Sequence, residues 1–212
     1  MGRRYLRGEK SIGIKLGFTS KAKMEQMGVH DLIWGQLTSA MQHAAGSSID
    51  SKNYIHPRAE PEIAFLLSKQ LNNDVTLDNV QEYVKGVAIA IEIIDSRFQN
   101  FQFSLEDVVA DNCSSTALTI GEWFLPKTKI TDLKMTLKID GELVKEGNSN
   151  AILGNPWESV VNAGRLASSN GLMLKENDVL LGGAATAATF IKKGHTVEAF
   201  AEGLGSVNLI MA

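Results

Sequence analysis

The stretch Gly86-Val-Ala-Ile-Ala-Ile-Glu-Ile-Ile-Asp95 constrains this chain more than any other. It is apolar and rich in β-branched residues, so it reads as a buried strand. Glu92 lies inside it, and a carboxylate in such a strand is expensive unless it is paired or bound to a metal. A second acidic feature, Glu60-Pro-Glu62, leads into another apolar run, and Glu62–Leu67 reads as a further buried strand. In an extended chain, positions two apart point to the same side, so Glu60 and Glu62 share a face and repel unless something positive lies between them. Two readings stay open. Glu60 is solvated at a strand start and Glu92 is ion-paired with a Lys or Arg. Alternatively, the three carboxylates form an all-oxygen site for a hard divalent ion, Mg²⁺ or Mn²⁺ rather than zinc, because no Cys or His cluster lies near. Three carboxylates leave room in an octahedral shell for a substrate that chelates through two oxygens.

The remaining pattern is strand-rich. Residues 1–11 look like the tail of a helix, and Ile12–Phe18 is extended and carries Lys15. Thr19 and Ser20 can cap a short helix stopping at Gly28, and Thr76 can cap another with Leu77, Val80 and Val84 on one face. Ser104-Leu-Glu-Asp107 resembles a capping signature for a helical turn ending near Asn112. The alternation of Leu133, Met135, Leu137 and Ile139, then Asp140-Gly141, then Glu142–Lys145, signals a β-hairpin. Asn155-Pro-Trp-Glu158 starts a helix with Asn capping and Pro at the first helical position, ending at Asn170-Gly171. Strands follow at Val179–Gly182 and Val197–Ala201, and a last one ends at Met211. Helices do not alternate regularly with strands, which argues against a doubly wound sheet. The expectation is an α+β fold with helices at its edges.

Bulk properties mostly exclude. A length of 212 residues with 44% apolar content suits one domain. A net charge of −3 offers no basic excess for nucleic acid. The basic start has no apolar segment behind it to make a signal peptide, and no apolar run is long enough to span a membrane. A cytoplasmic protein is therefore expected; Cys113 is the only cysteine, so no intrachain disulfide forms. Without an assignable His partner, Cys113 reads as packing. His56 reads as a residue that supports the acidic site from behind or is purely structural, rather than as a ligand.

Several ordered motifs carry a resemblance: Gly13-Ile-Lys-Leu-Gly-Phe-Thr-Ser20, Glu60-Pro-Glu-Ile-Ala-Phe65, Glu92-Ile-Ile-Asp-Ser-Arg97, Ala110-Asp-Asn-Cys-Ser-Ser115, Leu153-Gly-Asn-Pro156, Gly183-Ala-Ala-Thr-Ala-Ala188 and Gly203-Leu-Gly-Ser-Val207. Together, from about Arg7 to the C-terminus, they resemble the 2-keto-4-pentenoate hydratase and 4-oxalocrotonate decarboxylase family of the fumarylacetoacetate hydrolase-like superfamily. The resemblance implies a mostly β mixed-sheet roll or distorted barrel with peripheral helices. It also implies a single catalytic domain over residues 1–212, without the N-terminal helical segment usual in the family. It assigns Glu60, Glu62 and Glu92 to Mg²⁺ or Mn²⁺, Lys15 to the substrate oxygens and Ser114 to the substrate carboxylate. Arg97 and Asp111 are carried over as supporting substrate-site residues, with a salt bridge and a helix C-terminal contact as their plain alternatives.

Hydratases of this family carry an Asp before the aromatic-Gly pair, whereas Ile33 precedes Trp34-Gly35 here. Ile33 therefore implies the decarboxylase branch: loss of CO₂ from 2-oxo-3-hexenedioate to give 2-hydroxypenta-2,4-dienoate in meta-cleavage degradation of aromatics, with no organic cofactor. Hydration of 2-hydroxypenta-2,4-dienoate is the alternative activity. A weakly active subunit that stabilises a sister hydratase is an alternative of another class. The implied partners are a small 2-oxo dicarboxylate or dienoate, further copies of the chain in a homo-oligomer, and a sister hydratase.

Overall fold

The computed structural model describes residues 1–20, 24, 25, 28 and 31–212. After a short N-terminal helix α1 (Gly2–Leu6) come β1 (Ser11–Gly17), β2 (Ile33–Thr38), β3 (Gln42–His43), β4 (Ser48–Ile49), β5 (Arg58–Leu67) and β6 (Val84–Ile94). Helix α2 (Leu105–Ala110), β7 (Ser115–Ile120) and the hairpin β8 (Lys134–Ile139) and β9 (Glu142–Asn148) follow. Helix α3 (Trp157–Asn170), β10 (Val179–Ala184), β11 (Thr189–Phe190), β12 (Thr196–Ala201) and β13 (Gly205–Met211) complete the chain. The expected helix from Thr19 to Gly28 lies mostly outside the described residues. None of the helices described is long and apolar enough to cross a membrane.

The strands form two sheets. One has the order β2-β1-β10-β5-β6-β7-β3, with β11 added beside β5; the other has the order β4-β13-β12-β8-β9. Strands β2 and β3 lie at opposite ends of the first sheet, yet only residues 39–41 join them. So short a link spans at most roughly 14 Å. The sheet must therefore curl until its two edges approach, giving the distorted barrel.

Both faces of the central strands are covered, which explains their nearly unbroken apolar sequence. Ile63, Phe65 and Leu67 of β5 and Val87, Ile89, Ile91 and Ile93 of β6 pack toward the second sheet and α3, with Met135, Val197, Leu209 and Val160. Phe65 meets Trp157 with ring centroids 5.4 Å apart. The alternate residues Ala64, Ala88 and Ala90 point into the curl, against Leu37, Met41, Leu118 and Leu181. Small side chains suit this face, because a concave sheet leaves little room inside.

Local signals account for several boundaries. Asp140 and Gly141 both take positive φ between β8 and β9, as a tight hairpin turn requires. Ser104 and Asp107 form a full capping box at α2. The Asn155 Oδ1 accepts from the Trp157 amide at 3.1 Å, and α3 ends at Gly171 in the left-handed conformation.

Two expectations need correction. The helix expected after Thr76 is a single 3₁₀ turn, Val80–Tyr83, and Val84 instead begins β6, opposite Leu67. The Asn79 side chain closes the preceding turn, accepting from the Thr76 amide and donating to the Asp74 carbonyl. Sheet pairing then outcompetes a helical continuation. Strand β5 also begins at Arg58, earlier than the expected Glu62. Pro61 is tolerated in this central strand because the neighbouring β10 bulges between Leu181 and Ala184, where no ladder hydrogen bond from residue 61 is needed.

Candidate metal centre and its cavity

The curl brings the acidic residues of two strands together. Glu60 on β5 is the direct cross-strand partner of Glu92 on β6, and Glu62 follows two residues later on the same face. One carboxylate oxygen from each lies within 4.8 Å of the others, and all three residues are buried. Lys15 on β1 reaches across the inside of the curl to place its Nζ 2.9 Å from Glu92 Oε2. The β10 bulge turns the Gly183 amide inward, where it donates to Glu62 Oε2 at 2.9 Å. Only glycine suits that position: its φ is 113°, and an added Cβ would lie 2.2 Å from Thr19 Oγ1.

The electrostatics follow from this crowding. Burial, and then the neighbouring Glu92 and Glu60, push the Glu62 carboxyl well above its ordinary range. Burial also raises Glu92, opposed in part by Lys15. Burial works against the Lys15 charge, yet Glu92 and the other acidic groups outweigh it and raise its pKa. Glu92 Oε1 is buried without a hydrogen-bond partner among the described residues. The donor set is thus three buried carboxylates, partly offset by one lysine. It fits a hard divalent cation with oxygen ligands.

Beside the cluster lies a cavity of about 560 Å³. Lys15, Glu60 and Glu62 line one part of it, and Ser114 also borders it. Ile33 lines an apolar wall with Phe18, Phe103 and Val108. The Ser114 hydroxyl donates to Asp111 Oδ2 at 3.4 Å. Asp111 also accepts from the Arg97 amide and ion-pairs with the Arg97 guanidinium. Arg97 and Asp111 are not part of the cavity lining and reach it through Ser114.

The segment holding Ser114 has an unusual backbone. Asn112, Cys113 and Ser114 take φ of 55°, 53° and 57°, left-handed values that L-residues adopt at a cost of about 1–2 kcal/mol each. The Asn112 side chain helps hold them there by mimicking a neighbouring strand. It accepts from the Gln36 amide at 2.8 Å and donates to the Gln36 carbonyl at 3.0 Å. Gly35 is required at this suture, since a Cβ there would lie 2.5 Å from the Asn112 carbonyl oxygen. The Cys113 thiol donates to the Trp34 carbonyl, and burial pushes its pKa up to about 11, so it is a packed thiol. His56 lies beside Phe101 with ring centroids 4.8 Å apart, a structural position.

The sequence reading missed Arg58, Phe18, Phe101 and Phe103, all of which line the cavity. Arg58 could have been found by the same period-two argument that joined Glu60 to Glu62. The aromatic residues come from irregular segments whose direction no local pattern fixes.

Known proteins share this architecture. The family model for the fumarylacetoacetate (FAA) hydrolase C-terminal domain matches residues 16–209. A 4-oxalocrotonate decarboxylase from a Pseudomonas species is 48% identical over 205 residues, covering 97% of this chain and 80% of that protein. A 2-keto-4-pentenoate hydratase from Burkholderia vietnamiensis is 34% identical, covering 96% of this chain and 79% of its own length. The solved structure of 4-oxalocrotonate decarboxylase from Pseudomonas putida G7, complexed with magnesium and adipate, superposes with a TM-score of 0.93 at 33% identity, over 100% of this chain and 81% of that one. The chain therefore belongs to the lyase family of 2-keto-4-pentenoate hydratases and 4-oxalocrotonate decarboxylases, within the fumarylacetoacetate hydrolase superfamily.

Proposed function

We propose that the chain decarboxylates 2-oxo-3-hexenedioate to 2-hydroxypenta-2,4-dienoate with the help of Mg²⁺ or Mn²⁺ held by Glu60, Glu62 and Glu92. The observation that carries this reading is the wall around Ile33, built among the described residues by the apolar Val108, Phe103 and Phe18 and by Cys113, whose thiol, its pKa pushed up to about 11, donates to the Trp34 carbonyl. Adding water to a dienoate calls for an acid or base near the distal carbon. Losing CO₂ calls for none at that point. The 48% identity to a decarboxylase supports the same choice.

When bound, the divalent ion supplies Lewis-acid polarisation of the 2-oxo oxygen. The protein's own residues do the rest. The electron pair of the breaking C5–C6 bond flows through the C3–C4 double bond toward the C2 oxygen, where negative charge grows. Lys15, kept protonated by Glu92, places a fixed cation beside that developing charge. Ser114 turns its hydroxyl from Asp111 to donate to the carboxylate next to the 2-oxo group, while the Asp111 carbonyl, accepting from the Ser114 amide, and the Arg97–Asp111 pair keep its backbone in place. The Ile33 wall keeps water from the carbon that is losing CO₂.

Paired ultraviolet assays with Mg²⁺ test the reading, one supplied with 2-oxo-3-hexenedioate and the other with 2-hydroxypenta-2,4-dienoate. The expected result is consumption of the first with release of CO₂, and an inert second. Turnover of only the second would make the chain a hydratase. An Ile33→Asp variant should lose roughly 10²-fold or more in decarboxylation, as a charge enters an apolar wall. An unchanged rate in that variant would remove Ile33 from the argument.

A further inference from the structure

Besides Lys15, Arg58 is the cation of the cavity lining among the described residues. Its guanidinium lies over the Phe101 ring, with Cζ 4.0 Å from the centroid. None of the ion pairs formed among those residues involves Arg58. Arg58 stands two positions before Glu60 on β5, so it shares the face of the acidic cluster, roughly 6.7 Å further along the strand. The platform beneath it is built up in layers. Phe101 packs against His56 and Phe103. The backbone before Arg58 is pinned by Asp95, whose two oxygens accept the Ile55 and His56 amides at 2.8 Å each. Asp95 itself follows directly on β6, the strand that carries Glu92.

A planar cation with this support, facing a cavity and lacking an acidic partner, is suited to receive a carboxylate through paired hydrogen bonds. A 2-oxo dicarboxylate held at the acidic cluster by its 2-oxo end has its second carboxylate four carbons away from the 2-oxo carbon. We infer that Arg58 binds that remote carboxylate and is the residue that selects dicarboxylates over monocarboxylates. The inference rests on the substrate reading proposed above. Its consequence for the reaction has a definite sign. The contact is made with the carboxylate that departs, so it is strongest before the bond breaks and fades as CO₂ forms. Arg58 thus contributes to substrate capture rather than to the chemical step, and its loss raises KM without lowering kcat.

Two unreactive ligands isolate the effect: 2-oxohexanedioate, and 2-oxohexanoate, which carries a methyl group in place of the remote carboxylate. Titration calorimetry with the Mg²⁺-loaded chain should show the diacid binding about 10- to 100-fold more tightly. Arg58→Met should abolish that preference while keeping the 2-oxohexanoate affinity, and Arg58→Lys should retain part of the preference. Equal affinities in the wild-type chain overturn the inference without any variant. So does a preference that survives Arg58→Met, or an equal loss of both ligands, which would put Arg58 at the near carboxylate. If the wild-type chain binds neither acid with Mg²⁺, or binds both equally well without it, the metal reading fails and this inference falls with it.

Discussion

Replacing Glu62 by Gln is expected to abolish divalent-ion binding and to slow decarboxylation by about 4 kcal/mol of barrier, on the order of 10³-fold. The fold should survive. Glu62 is buried beside Glu60 and Glu92, and its carboxyl is raised chiefly by burial and by those neighbours. In the metal-free protein its charge is a burden on the cluster. A neutral amide of the same shape removes repulsion, and its oxygen still accepts from the Gly183 amide. Metal-free Glu62→Gln should therefore melt no lower than the wild-type chain, while calorimetry with Mn²⁺ shows no heat of binding. Wild-type metal affinity in the variant would exclude Glu62 as a ligand.

Lys15→Met should behave differently, because Lys15 has two roles. It neutralises Glu92 at 2.9 Å inside the curl, and leaving a buried charge without its partner destabilises by about 3–5 kcal/mol. The Glu92 carboxyl can escape that penalty by taking a proton, so the loss should be large at pH 8 and small at pH 5. Metal binding should recover part of the stability by supplying positive charge to the cluster. It should not recover the rate, expected to fall roughly 10²- to 10³-fold, since a fixed cation at the developing oxyanion is gone. Urea denaturation with and without Mg²⁺, alongside turnover, separates the two roles. Full rescue of the rate by metal would reduce Lys15 to a structural counter-ion.

The contrast between these variants shows which parts of the site could be read from sequence. Period two in a strand suffices to put Glu60 and Glu62 on one face, and an acid in the run 86–95 stands out on polarity alone. That Glu60 lies directly across from Glu92 depends on the β5–β6 register, and the Lys15–Glu92 contact depends on the curl of an entire sheet. Both are long-range properties that no window of sequence contains. The hairpin at Asp140-Gly141 and the ends of α3 were legible because their turn and capping chemistry is local. The Thr76 segment misled because its apolar spacing suits a helix, whereas Val84 is claimed by β6. The left-handed turn at residues 112–114 breaks the usual backbone preferences, and it is stabilised by a side chain bonded to β2, far away in sequence. Local propensity has no means of anticipating it.

Whether Glu60, Glu62 and Glu92 hold a divalent ion is read from the melting temperature with and without saturating Mg²⁺ or Mn²⁺, at pH 5 and at pH 8. Glu62 and Glu92 have folded-state pKa values raised above the unfolded carboxylate value of about 4.3. Their contribution to metal-free stability is therefore fully present below that pH and is lost as pH rises through the raised values. The same protons compete with the metal, so binding strengthens over the same interval. At 100 times its dissociation constant, a ligand stabilises by about 2.7 kcal/mol, which for a chain of this size is roughly 5–10 °C. The expected result is a shift of that order at pH 8, a much smaller one at pH 5, and none at either pH in Glu62→Gln. A wild-type chain whose melting temperature ignores both ions at pH 8 would contradict it.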